Sequence, residues 1–114
     1  MPCIQTKVSV KLSEEKERNI KTRLGQAISI LPGKSESWLM VGFEDECRLY
    51  FKGSNEQPMA FVEVQLFGKS NDKAYEQLTA EITNILNDEL GIDPAQIYVK
   101  YEEISHWGWN GRNL

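Results

Sequence analysis

The sequence predicts an α+β fold: two βαβ repeats forming a four-stranded mixed sheet, with two helices on one face and short extra strands. Three observations predict it. A strand-like segment opens each half of the chain, over 3–10 and 59–67. A helical stripe of apolar residues follows each of these segments. A short apolar run then closes each half, at 38–43 and 97–101. The 114 residues make a single domain, 1–114, because one domain usually holds about 100–150 residues.

Each element has its own local reason. Ile4, Thr6, Val8 and Val10 alternate with polar residues, the period of a half-buried strand. Ser13 precedes Glu14 and Glu15, and a hydroxyl cap followed by carboxylates suits the positive end of a helix. Ile20, Leu24, Ala27, Ile28 and Leu31 form that helix's apolar stripe, and Pro32-Gly33 ends it. Trp38 to Phe43 is a nearly continuous apolar run and reads as a strand covered on both faces. Arg48 to Phe51 suggests a further short strand, and 53–58 reads as a loop by composition.

The pattern then returns. Met59 to Phe67 is a strand, and Ser70-Asn71-Asp72 starts a second helix. Leu78, Ile82, Ile85, Leu86 and Leu90 form its stripe, Gly91 closes it, and Asp93-Pro94 turns into the strand Ile97–Tyr101. A helix of about 18 residues spans about 27 Å. A strand of about eight residues spans about 26 Å. Each helix can therefore return the chain to the start of a parallel strand, as a right-handed crossover. No third helix covers the other face of the sheet. Phe43, Phe61 and Phe67 lie on strands with few other partners, so association of copies through the sheet face is expected.

Composition narrows the function classes. With 40% hydrophobic and 26% charged residues, the chain has the makeup of a soluble globular protein. Thirteen Lys and Arg are interspersed with 17 Asp and Glu, for a net charge of −4, so no nucleic-acid partner is expected. No apolar run reaches the roughly 20 residues of a membrane span, so no membrane partner is expected. The start Met1-Pro2-Cys3-Ile4-Gln5-Thr6-Lys7 lacks the basic-then-apolar pattern of a signal peptide, and the expected location is cytoplasmic. Cys3 and Cys47 form no C-x-x-C pair and are expected to be free thiols. With one histidine, His106, there is no recognisable zinc set, and no metal or other cofactor is expected.

Two segments carry the chemistry. Removal of Met1 would leave Pro2 as a secondary N-terminal amine, since initiator methionine is generally removed before a small residue. An α-amine has a reference pKa of about 7.7–8.0, and burial or a nearby cation lowers it. Such an amine, neutral near pH 7, can act as a general base. The tail 105–114 holds two of the three tryptophans, Trp107 and Trp109, and residues this large should be buried or line a pocket.

Pro2 leading into a strand, Gly33-Lys34, Phe67-Gly68-Lys69, Ile97-Tyr98-Val99 and Gly108-Trp109-Asn110 occur in order across the chain. Together they resemble the macrophage migration inhibitory factor family of the tautomerase superfamily. The resemblance implies a homotrimer with active sites between subunits, and cofactor-free keto–enol tautomerisation of an aromatic 2-oxo acid such as phenylpyruvate. It places Pro2 as the catalytic base and Lys34 as the anchor of the substrate carboxylate. Phe67 takes the position that offers a main-chain N–H, and Tyr98 is a pocket residue from the neighbouring subunit. Lys100 stands where the best-known members have asparagine, a change that adds charge and favours more acidic substrates. Trp107 stands where a smaller aliphatic residue is usual, which narrows the pocket. Cys3 lies at the pocket edge, and Trp109 with Leu114 forms its apolar rim. The family's C-x-x-C is absent, that region reading Ala60-Phe61-Val62-Glu63, so thiol-oxidoreductase activity is not expected. One alternative is a cytokine-like protein secreted without a signal peptide and acting on a host receptor, with tautomerase activity secondary. Another is a ferredoxin-like binding module that gives the N-terminus no role.

Overall fold

The computed structural model describes residues 1–114. Strand β1 (Pro2–Val8) leads into helix α1 (Glu14–Ala27), and β2 (Met40–Glu44) completes the first repeat. Strand β3 (Ala60–Phe67), helix α2 (Asp72–Leu90) and β4 (Ile97–Ile104) make the second. The sheet order is β2-β1-β3-β4. Within each repeat the strands are parallel, and the repeats meet antiparallel along β1 and β3, where Pro2 faces Leu66 and Val8 faces Ala60.

Both helices begin where a side chain satisfies their free N–H groups. Ser13 accepts the Lys16 N–H at 3.1 Å, and Asn71 accepts the Ala74 N–H at 2.9 Å. Gly91 ends α2 in the left-handed conformation, at φ 67°, which costs a glycine little. Replacing Asn71 by alanine is expected to lower stability by about 1 kcal/mol. Chemical denaturation would read this as a lower midpoint with an unchanged slope.

A continuous core fills the space between helices and sheet. Ile4 and Val8 of β1, and Val62, Val64 and Leu66 of β3, meet Ile20 and Leu24 of α1 and Leu78, Ile82 and Ile85 of α2. The two helices also share an ion-pair cluster on their outer surface. Arg23 reaches Asp88 at 3.0 Å and Glu89 at 3.3 Å, and such pairs near the surface contribute modestly.

The structure corrects three details of the sequence reading. The apolar run 38–43 is not one strand: Glu36–Trp38 forms a 3-10 turn, and β2 starts at Met40. Nor is β2 covered on both faces. It is an edge strand, and Trp38 and Met40 are exposed because they serve the surface rather than the core. Arg48–Phe51 contributes only an isolated bridge, Phe51 to Ser54, because a reversal at Lys52-Gly53 turns the chain back on itself. Phe43 packs against the core on the helix side, whereas Phe61 sits on the open face beside the Lys100 ammonium, 5.8 Å from its ring centre. The tail forms a hairpin, β5 (Gly108–Trp109) with β6 (Arg112–Asn113). Asn110 and Gly111 turn it with φ of 53° and 81°, as a two-residue hairpin turn requires.

Candidate active site

Pro2 is the first residue of β1, a strand position where proline's missing N–H disturbs no ladder. It is buried, with Met1 half-buried ahead of it. The Phe67 N–H donates to the Met1 carbonyl at 2.9 Å. Lys34 arrives from the turn after α1, where Gly33 takes φ 80° and the Lys34 N–H closes on the Leu31 carbonyl at 3.0 Å. Its ammonium donates to the Phe67 carbonyl at 2.9 Å. The chain start, Lys34 and the Phe67 peptide thus converge on one point at the end of β1 and β3.

The electrostatics of that point disfavour a charged amine at the chain start. The Met1 amine is held below its ordinary pKa, first by burial and then by the charge and hydrogen bond of Lys34. Both influences disfavour the protonated amine.

Beside this point lies an open groove of about 450 Å³, lined by Met1, Pro2, Cys3, Trp38, Met40, Gln65, Trp107 and Trp109 among others. All three tryptophans of the chain line it. Trp38 meets Trp109 edge to face, with ring centres 5.0 Å apart and planes at 87°. The tail is tied back by the Leu114 N–H donating to the Trp107 carbonyl at 2.9 Å. Half of the Trp38 and Trp109 surface stays open, an apolar wall with no partner of its own chain.

Within one chain, Tyr98 and Lys100 lie elsewhere. Both are on β4, two strands from β1. Tyr98 is exposed and stacks edge to face on Phe51 at 5.0 Å. It also borders a separate apolar pocket of about 240 Å³ with Tyr50 and Phe61. Lys100 pairs with Glu63 and Glu102, each at 3.2 Å, and these carboxylates raise its pKa. Its positive charge is therefore already matched by two carboxylates. Trp38, Met40 and Gln65 line the groove although sequence reasoning did not select them. For Trp38 the signal was a tryptophan within four residues of the Gly33-Lys34 turn. No three His, Cys, Asp or Glu side chains come together in a metal-ligand cluster.

A four-stranded mixed sheet in the order β2-β1-β3-β4, built from two repeats with both helices on one face, is a tautomerase-type fold. The family described as macrophage migration inhibitory factor (MIF) matches residues 1–114, and the chain belongs to that family. Among solved structures, it is similar to Leishmania major MIF2, at 35% identity and a TM-score of 0.93, covering 100% of this chain and 97% of that one. The Toxoplasma gondii macrophage migration inhibitory factor has a TM-score of 0.90 at 21% identity, covering 98% and 99% of the two chains. A homologue from Prochlorococcus marinus has a TM-score of 0.87 at 24% identity, covering 97% of each. Curated protein sequences return no match. No helix is long and apolar enough to cross a membrane.

Proposed function

We propose that the protein is a cofactor-independent keto–enol tautomerase acting on an aromatic 2-oxo acid such as phenylpyruvate, with Pro2 as general base after removal of Met1. The observation that carries this reading is the convergence of the chain start, Lys34 and the Phe67 peptide beside a tryptophan-lined groove.

The chemistry follows from what each group offers. Removal of Met1 takes away the carbonyl that holds the Phe67 N–H, and this main-chain donor becomes free for substrate. Lys34 spends one N–H on the Phe67 carbonyl, and its remaining donors face an incoming carboxylate. The Pro2 nitrogen takes a proton from the carbon next to the keto carbonyl. The electron pair of that C–H bond forms the C=C bond of the enol as the carbonyl π pair moves to oxygen, and the protonated Pro2 amine gives its proton to that oxygen, directly or through water. The reverse passage returns the proton to carbon, so no atom is gained or lost. Trp38, Trp107 and Trp109 receive the aryl group and keep water from it.

Tyr98 and Lys100 enter this reading only through a neighbouring copy, since their own chain holds them away from Pro2. The proposed assembly is a homotrimer with sites between subunits. The open sheet face and the unpaired edge of β2 support association. Sedimentation equilibrium is expected to give three chain masses. A monomer or dimer would argue for a binding module instead.

The direct test is enol–keto interconversion of phenylpyruvate by protein verified to begin at Pro2. Turnover well above the buffer rate supports the reading, and a rate equal to buffer defeats it. Trp38→Ala is expected to raise KM for phenylpyruvate by roughly three- to tenfold, with kcat nearly unchanged, because an aromatic contact is worth about 0.5–1.5 kcal/mol.

A further inference from the structure

We infer that Tyr75 is a positioning residue for the Phe67 peptide, holding the turn after β3 so that this peptide faces the groove. The inference rests on the tautomerase reading, in which Phe67 supplies a main-chain donor. Phe67 is the last residue of β3, and everything beyond it must be held by other means. Gly68 turns with φ 85°, and its N–H donates to the Ile104 carbonyl at 2.9 Å. Two residues on, the Ser70 N–H donates to the Tyr75 hydroxyl oxygen at 3.0 Å. The same hydroxyl donates to the Glu103 carboxylate at 2.7 Å. Tyr75 therefore ties the turn that leaves β3 to the end of β4, one residue from the Ile104 that holds Gly68.

The phenol's two bonds require it to be protonated, accepting from Ser70 and donating to Glu103. Burial, and then the Glu103 carboxylate, raise its pKa and keep it so. The ring is itself fixed: it packs on Tyr101 with centres 4.7 Å apart, and the Tyr101 hydroxyl donates to the Tyr75 carbonyl at 3.0 Å. The Ser70 hydroxyl is buried without a partner, which leaves the Tyr75 hydroxyl as the side-chain anchor of Ser70.

Tyr75→Phe keeps the ring and removes both bonds of the hydroxyl. In processed protein it is expected to raise KM for phenylpyruvate by roughly three- to tenfold, since small misplacements of a binding group weaken its contact. The pH profile of kcat/KM should keep its midpoint, because Pro2 and Lys34 are untouched. Exchange of the Gly68 amide should become faster. Tyr50→Phe is the comparator, removing an exposed phenol that bonds neither Ser70 nor Tyr75, and it should leave KM and Gly68 exchange at the wild-type values. Should Tyr75→Phe fail to fold, Glu103→Ala frees the hydroxyl from the other side and is expected to move KM and exchange in the same direction. An unchanged KM in Tyr75→Phe, or an equal rise in Tyr50→Phe, overturns the inference. Absence of phenylpyruvate turnover in the wild type overturns the functional reading itself.

Discussion

Protein that retains Met1 is expected to turn over phenylpyruvate more slowly than protein beginning at Pro2, by roughly 100-fold or more, the usual contribution of a general base. The reasons are separate and act together. With Met1 in place, the Pro2 nitrogen is a tertiary amide and has no basic lone pair. The Met1 carbonyl occupies the Phe67 N–H at 2.9 Å. Met1 also lines the groove where the substrate would lie. Comparison requires only two preparations of one sequence, distinguished by intact mass. Equal rates in both would remove Pro2 from the mechanism. They would favour a binding role, such as the receptor-directed alternative, in which a free Pro2 is unnecessary.

The second large effect is expected at Lys34. Lys34→Ala removes a charge-assisted contact to the substrate carboxylate, worth about 1.5–3 kcal/mol, so KM should rise by roughly 10- to 100-fold. A second consequence concerns pH. The lysine's positive charge disfavours protonation of the amine at the chain start, as it does for the Met1 amine. The base works only when neutral, so kcat/KM rises with pH through the amine's pKa. Removing the cation raises that pKa, and the ascending limb should move to higher pH. Lys34→Met, which keeps an apolar side chain of similar length, should show the same upward movement. A raised KM with an unmoved limb would confine Lys34 to substrate binding.

The legible part of the fold was the part governed by local periodicity. The alternation over 4–8 and the stripes through Ile20 and Leu24, and through Leu78 and Ile82, report burial directly, and those residues form the core. Periodicity failed at Trp38-Leu39-Met40. An apolar run reads the same whether it is packed in a core or lines an open groove. The tail hairpin carried a readable signal, Asn110-Gly111 between Trp109 and Arg112. Two-residue strands are too short to show alternation, so only the turn could reveal them.

The site divides along a different line. Pro2, Lys34 and Phe67 are separated by more than thirty residues at each step. No spacing rule joins them. Their meeting depends on the antiparallel register that sets Pro2 opposite Leu66 and on the turn at Gly33. The resemblance supplied the grouping that local physics could not, and the fold brings Lys34 and Met1 into contact with Phe67. Lys100 shows the opposite case. The sequence presents an added cation, but the Glu63 and Glu102 carboxylates that flank it come from register and from the next residue on its own face of β4.

General-base chemistry at Pro2 requires an amine that is neutral where turnover is full. Labelling proline with 15N and following the Pro2 nitrogen of processed protein by NMR across pH measures this directly. The predicted result is a midpoint below the ordinary α-amine value of about 7.7–8.0, coinciding with the ascending limb of kcat/KM and moving up in Lys34→Ala. An amine that stays protonated throughout the pH range of full activity would contradict the account.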